Sequence, residues 1–228
     1  MRLPDRPLVK ICCIGSADEA RMAVAAGASA LGLVSHMPSG PGVIEEDLIA
    51  EIAAQVPPPI ATFLLTCEQQ AEAIAAQQRR CGTGVVQLVD AVADGELRRL
   101  RRELPGVKLV QVIHVRDEAS VDEARAAAAW VDALLLDSGN PALAVKELGG
   151  TGRTHDWRLS RRIRDEAGKP VFLAGGLGAH NVGQALAAVQ PFGLDLCSAV
   201  RSEGRLDEHK LRAFFAAVAQ GPAAAPAA

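Results

Sequence analysis

Short apolar runs alternate with Ala-rich amphipathic stretches eight times along this chain, and that repeat limits its fold more than any other feature. Strands are expected near residues 8–14, 30–34, 60–65, 85–88, 107–115, 133–137, 170–174 and 194–197. Helices are expected over 17–26, 45–55, 68–78, 95–103, 120–130, from about 157, and over 181–189 and 207–218. Several of the strand runs are apolar throughout, which is the pattern of a parallel sheet covered on both faces. Eight such units predict an α/β chain closed into a (β/α)8 TIM barrel. An open doubly wound sheet is the alternative, but no dinucleotide-binding glycine fingerprint follows the first strand. The length of 228 residues suits one such barrel, expected over 1–220, with 221–228 as a disordered Ala/Pro tail.

Composition narrows the function classes. The net charge of −3 leaves no basic footprint for nucleic acid, and 3% aromatics without a single Tyr gives no stacking surface for single strands. The five cysteines are odd in number and lack a CxxC pair, which argues against a disulfide framework or structural zinc. Reduced thiols in a cytoplasmic enzyme are expected. Neither a secretory signal nor a membrane-spanning run is present, so no membrane partner is expected.

Barrels of this kind carry their chemistry on the loops at the C-terminal ends of the strands. Two loops are long, 35–44 (SHMPSGPGVI) and 138–156 (SGNPALAVKELGGTGRTHD). Cys12 and Cys13 end the first strand run. Alternation along a strand sends one thiol to the barrel mouth and the other to the helix layer. Either could equally be a small buried hydrophobe. Lys10 shares the face of Cys12, and an ammonium nearby favours a thiolate. Asp137 ends the sixth run, LLLD, as one carboxylate after three leucines; it is a functional group or a loop-ordering acceptor. Asp195 is either a second acid or a barrel anchor. Gly175-Gly176-Leu177 and Ser198-Ala199-Val200-Arg201 follow the seventh and eighth strands, where barrels bind phosphate on backbone N–H groups. His36, His114 and His155 could approach the same mouth, but they lack close ligand spacing, and no metal is expected.

Several motifs in order then carry a family resemblance over nearly the whole chain. VKIC at 9–12, LLLD at 134–137, GGTGRTHDW at 149–157, LAGGL at 173–177 followed by Asn181-Val182, and GLDLCSAVR at 193–201 resemble the signature segments of phosphoribosylanthranilate isomerases. The resemblance implies a cofactor-free Amadori rearrangement of an aminoaldose phosphate, acting on a small phosphosugar, in a monomer or homodimer. It implies Cys12 as general base and Asp137 as general acid, with Gly152, Gly175, Gly176, Ser198 and Ala199 at the phosphate. Cys13 is expected to face the helices. The chain departs from the family pattern in four places. Cys13 stands for a Gly, Pro41 for the Arg that holds the anthranilate carboxylate, VQLVD for VQLHG, and SAVR for SGVE. Arg153 and His36 are the candidate replacements for that cation, with Arg201 a third. A divergent isomerase or epimerase of another phosphosugar, or a non-catalytic phospholigand-binding barrel, are the competing readings.

Overall fold

The computed structural model describes residues 6–149 and 152–222. Eight parallel strands close into a barrel in sequence order. They are β1 (Leu8–Ile11), β2 (Ala30–Val34), β3 (Ala61–Thr66), β4 (Val85–Leu88), β5 (Lys108–His114), β6 (Ala133–Asp137), β7 (Val171–Leu173) and β8 (Gly193–Leu196). The helices between them are α1 (Ala17–Ala26), α2 (Glu46–Gln55), α3 (Ala71–Cys81), α4 (Asp94–Glu103), α5 (Ala119–Ala128), α6 (Trp157–Glu166) and α7 (Val182–Val189), and α8 (Glu208–Ala219) closes the ring. Helix starts follow their capping chemistry. Ser16 accepts from the Glu19 N–H, Asp156 from the Arg158 N–H and Asp207 from the Lys210 N–H.

The apolar side chains sort into two layers by strand alternation. Val34, Phe63, Leu65, Val110, Val112, Leu135 and Phe172 point into the barrel. Leu31, Leu33, Leu64, Leu109, Ile113, Leu134 and Leu136 point out against the helices. The continuous apolar runs of the sequence are therefore two cores written into one strand. Inside, Phe172 contacts Phe63 and Phe192 edge-on, with centroids 6.0 and 5.5 Å apart.

One charged pair sits in this interior. Lys10 and Asp195 are register partners across β1 and β8, the seam where the barrel closes. The Lys10 Nζ is 2.8 Å from the Asp195 Oδ1 and 5.3 Å from the centre of the Phe63 ring. Burial alone would discharge the ammonium, but the Asp195 carboxylate and the Cys12 and Cys13 thiols reverse this and hold its pKa above the usual value. Asp195 is thus the barrel anchor of the two roles considered for it.

The structure corrects the sequence reading in three places. β1 ends at Ile11, not at residue 14, because Cys13 takes a left-handed backbone with φ 62°. A short 3-10 turn (Ser198–Val200) and a two-stranded ribbon, β9 (Arg201–Ser202) with β10 (Arg205–Leu206), follow β8 without having been anticipated. The ribbon turns on Glu203-Gly204, both at positive φ, a two-residue hairpin that the sequence signals only by its Gly. Of the expected tail, residues 223–228 lie outside the described residues. Among the described residues, no helix is long and apolar enough to cross a membrane.

Removing one member of the seam pair should be costly. Lys10→Met strands a carboxylate in the interior and should lower stability by about 3–5 kcal/mol. Lys10→Met with Asp195→Leu should recover most of that loss in urea denaturation. A single substitution that leaves the midpoint unmoved would show that the seam does not rely on the pair.

Candidate active site

The C-terminal ends of the strands surround a cavity that opens to solvent. Cys12, Asp137, Gly152, Gly175, Gly176 and Ser198 line it together, although β1, β6, β7 and β8 supply them from far apart in sequence. Ala199 is exposed and lies outside the lining, with its methyl towards Gly178.

Each group is held by its element. Cys12 is buried and continues the β1 ladder by donating its N–H to the Leu196 carbonyl at 2.7 Å. Its sulfur and the Lys10 Nζ stand 2.8 and 3.0 Å from where a methyl on Gly32 would sit, so thiol and ammonium are neighbours. Asp137 is 8% exposed, and its Oδ1 accepts the Ser138 N–H at 2.7 Å. Its other oxygen faces Gly149, where an added methyl would come within 2.7 Å of it. A glycine there lets the loop pass over the carboxylate.

Cys13 corrects an expectation. Strand alternation was to send it to the helices, yet it lines the same cavity as Cys12 and packs with the interior residues. Alternation holds only for extended backbone, and the left-handed turn at Cys13 ends it. Its sulfur lies 2.7 Å from that of Cys197. Hydrogen bonds with Cys12 and Cys197, and burial, hold the Cys13 thiol well above its usual pKa. The contact with Cys13 and the nearby Arg201 guanidinium, working against burial, hold Cys197 below.

The loops after β7 and β8 form one wall. Gly175 and Gly176 have φ of 78° and 61°, a left-handed backbone that glycine adopts without strain, and both line the cavity. A methyl on Gly176 would stand 2.8 Å from the Thr154 nitrogen, so the β7 loop and the 152–156 segment meet backbone to backbone. Asn181 secures the turn by accepting the Gly178 N–H at 2.9 Å and donating to the Gly176 carbonyl at 3.0 Å. Gly152 approaches Ser198 closely, since a methyl on it would lie 3.7 Å from the Ser198 Oγ. The flanking Gly150 and Thr151 of the GGTG motif fall outside the described residues.

Of the supporting residues, Glu19 carried no clear signal in the sequence. Glu19 accepts the Gly15 and Leu206 N–H groups at 2.9 and 2.8 Å and pairs with Arg201 at 3.0 Å. Arg201 in turn donates to the Cys12 carbonyl at 3.2 Å and to the Cys13 carbonyl. This clamp fixes the bend after β1 to the β9–β10 ribbon. His155 is half-buried beside Asp137; its Nε2 meets the Ser160 Oγ at 2.7 Å, and its Nδ1 has no hydrogen-bond partner among the described residues. Burial lowers the pKa of that imidazole, against the pull of Asp137 and Asp156.

Among the described residues lining the cavity there is no Lys, Arg or His. His36 is exposed and borders a separate depression with Glu45, Glu46 and Asp47. Arg153 pairs with Glu147 at the surface. Arg201 is committed to its clamp. His114 bonds the Val89 carbonyl at 3.1 Å beneath the β6 loop. The described residues hold no group of three or more His, Cys, Asp or Glu side chains placed for a metal ion.

A closed (β/α)8 barrel with a thiol and a carboxylate at its C-terminal mouth, backed by glycine loops after β7 and β8, defines a class of barrel enzymes. The family described as N-(5'phosphoribosyl)anthranilate (PRA) isomerase matches residues 9–217, and the chain belongs to it. It is 38% identical over 213 residues to the N-(5'-phosphoribosyl)anthranilate isomerase of Haloferax volcanii, covering 92% of this chain and 91% of that one. It is 35% identical over 205 residues to N-(5'-phosphoribosyl)anthranilate isomerase 2 of Methanosarcina mazei, covering 89% and 90%. The crystal structure of the phosphoribosyl anthranilate isomerase from Thermotoga maritima superposes with a TM-score of 0.81 at 26% identity, over 94% of this chain and 99% of that one.

The clamp makes stability depend on acid. Burial would raise the Glu19 pKa, but Arg201 and the two N–H donors outweigh it and hold the carboxylate below its ordinary 4.5. A depressed folded pKa stabilises the native state above the unfolded value, and that contribution is lost as pH falls through the folded one. Glu19→Gln should therefore be less stable than the parent at pH 7. The difference should shrink from about pH 4.5 downward when urea midpoints are compared across pH.

Proposed function

We propose that this chain isomerises N-(5'-phosphoribosyl)anthranilate by an Amadori rearrangement in tryptophan biosynthesis, as a cytoplasmic enzyme. The observation that carries the reading is that Cys12 and Asp137, brought from β1 and β6, face one cavity beside the two glycine loops. Family membership supports the substrate.

In this reading the carboxyl of Asp137 protonates the furanose ring oxygen. The bond from C1 to that oxygen breaks, and the amino nitrogen's lone pair moves in to give an iminium. The Cys12 thiolate then takes the proton from C2, and the electrons of that bond flow to the iminium to give an enolamine. Tautomerisation gives the aminoketose. The amine supplies the electron push, so the scheme uses no cofactor. The Lys10 ammonium lies beside the charge formed at Cys12. The backbone N–H groups of Gly175 and Gly176 and the 3-10 turn at Ser198–Val200 hold the phosphate.

One observation favours a variant of this reading. With Pro41 at the cavity wall and no cation in its lining, an aromatic carboxylate meets only neutral donors such as Ser39. A phosphosugar with a different amine substituent is the second substrate class. Complementation of an isomerase-deficient tryptophan auxotroph separates the two, since growth requires the tryptophan-pathway reaction.

Cys12→Ser and Asp137→Asn should each lower turnover by about 10²-fold or more, with circular dichroism unchanged. Turnover within a few-fold of the parent in either variant would remove that residue from the chemistry. Titration with inorganic phosphate should shift the amide resonances of Gly175, Gly176, Ser198 and Ala199. Shifts confined to other loops would move the phosphate elsewhere.

A further inference from the structure

The acid–base scheme uses one thiol, yet three meet at the mouth. Cys12, Cys13 and Cys197 all line the cavity, and the sulfurs of Cys13 and Cys197 are 2.7 Å apart. All five cysteines of the chain are free thiols. Cys13 reaches this contact only through a left-handed backbone at φ 62°, a conformation that L side chains disfavour. Gly42 packs directly on it, where an added methyl would come within 2.4 Å of the Cys13 Cβ. The neighbouring loop is cut back to let the side chain in. Arg201 holds the Cys12 and Cys13 carbonyls and lies close to Cys197. A thiol near a guanidinium, beside a second thiol and open to a cavity, is the arrangement of a peroxide-sensitive cysteine with its resolving partner.

We propose that Cys13 and Cys197 form an oxidation site in which a hydroperoxide converts the two thiols to a disulfide across the cavity mouth, reversibly stopping turnover. Cys197 is the attacking sulfur, because its thiolate is the more accessible of the two. It bonds to the terminal peroxide oxygen; the O–O bond breaks, and the leaving oxygen takes a proton to become water or an alcohol. Cys197 is then a sulfenic acid. The Cys13 sulfur attacks it, the S–S bond forms, the S–O bond breaks, and the departing hydroxide leaves as water with the Cys13 proton. Two thiols lose two electrons, and the peroxide gains them. A dithiol reverses the step by exchange.

The bond joins the residue after Cys12 to the residue before Ser198, so it draws the loop after β1 towards the loop after β8. Misplacement on the scale of 1 Å at a reacting group can cost about 10²-fold in rate. A loss of at least about tenfold in turnover is the expected effect of cross-linking.

The test is treatment of the whole chain with a small excess of hydrogen peroxide, alkylation of remaining thiols, and non-reducing peptide mapping. Expected are a Cys13–Cys197 linked peptide lighter by two hydrogens, a matching loss of turnover, and recovery of both with dithiothreitol. Cys197→Ser and Cys13→Gly, the latter suited to the left-handed backbone, should form no link. Each should keep most of its own untreated activity through the same treatment. Oxidation found only on Cys12, a Cys12–Cys13 link, or no link at all would overturn the proposal. So would a full yield of the Cys13–Cys197 link with turnover unchanged. The peptide map needs no substrate, so it stands or falls apart from the isomerase reading.

Discussion

The Lys10–Asp195 pair is the interaction on which the rest of the barrel's mouth depends. A parallel barrel has one junction that sequence order cannot supply, between its last strand and its first. Here that junction carries the one ion pair that is buried within the barrel interior among the described residues. Hydrophobic side chains fill space but do not select a register, whereas a buried charge must meet its partner or unfold the region around it. Fixing β1 against β8 at this level sets where Cys12 emerges relative to Ser198, which follows β8 directly. The same ammonium then sits beside the Cys12 sulfur, so one side chain both closes the barrel and borders the cavity's thiol.

Above that seam the mouth is organised by backbone contacts more than by side chains. Glu19 and Arg201 tie three separate segments through carbonyl and N–H groups. Asn181 does the same for the β7 loop. Among the described residues, the cavity wall so built has no cationic side chain; glycines, thiols, small polar groups and aliphatic side chains make up most of it, and Asp137 and Asp195 are its carboxylates.

The barrel was legible because its signal is repetition. Eight apolar runs at regular spacing survive errors of a few residues at any one of them, and β6 was placed at its observed bounds. Cys12 and Asp137 were legible because each ends such a run, and position at a strand's end implies position at the mouth. Cys13 was misplaced for a specific reason. Strand alternation is a rule about extended backbone, and nothing in Cys-Cys-Ile-Gly announces that the second residue turns left-handed. The β9–β10 ribbon escaped because two residues per strand give no period to read. The Glu19–Arg201 clamp escaped because its partners lie 182 residues apart and each alone looks like an ordinary surface charge. The lack of a cation in the lining was visible only as a missing Arg at Pro41; that none of the other described residues fills the place is a fact of three dimensions.

The loop from 138 to 156 joins two kinds of chain. Its tip exposes Leu143 and Val145, while its base presses Gly139 against His114, Gly149 against Asp137, and Arg153 and Thr154 against Gly176. Tip and base therefore face different selection. Insertions, tags or foreign segments can be accommodated near 143–145, where the side chains are exposed. At the base a single added carbon displaces a neighbour's backbone or carboxylate. Inherited variation in this loop should accumulate at its apex and halt at its stem, and the stem is also where an engineered barrel of this kind would have to be copied unchanged.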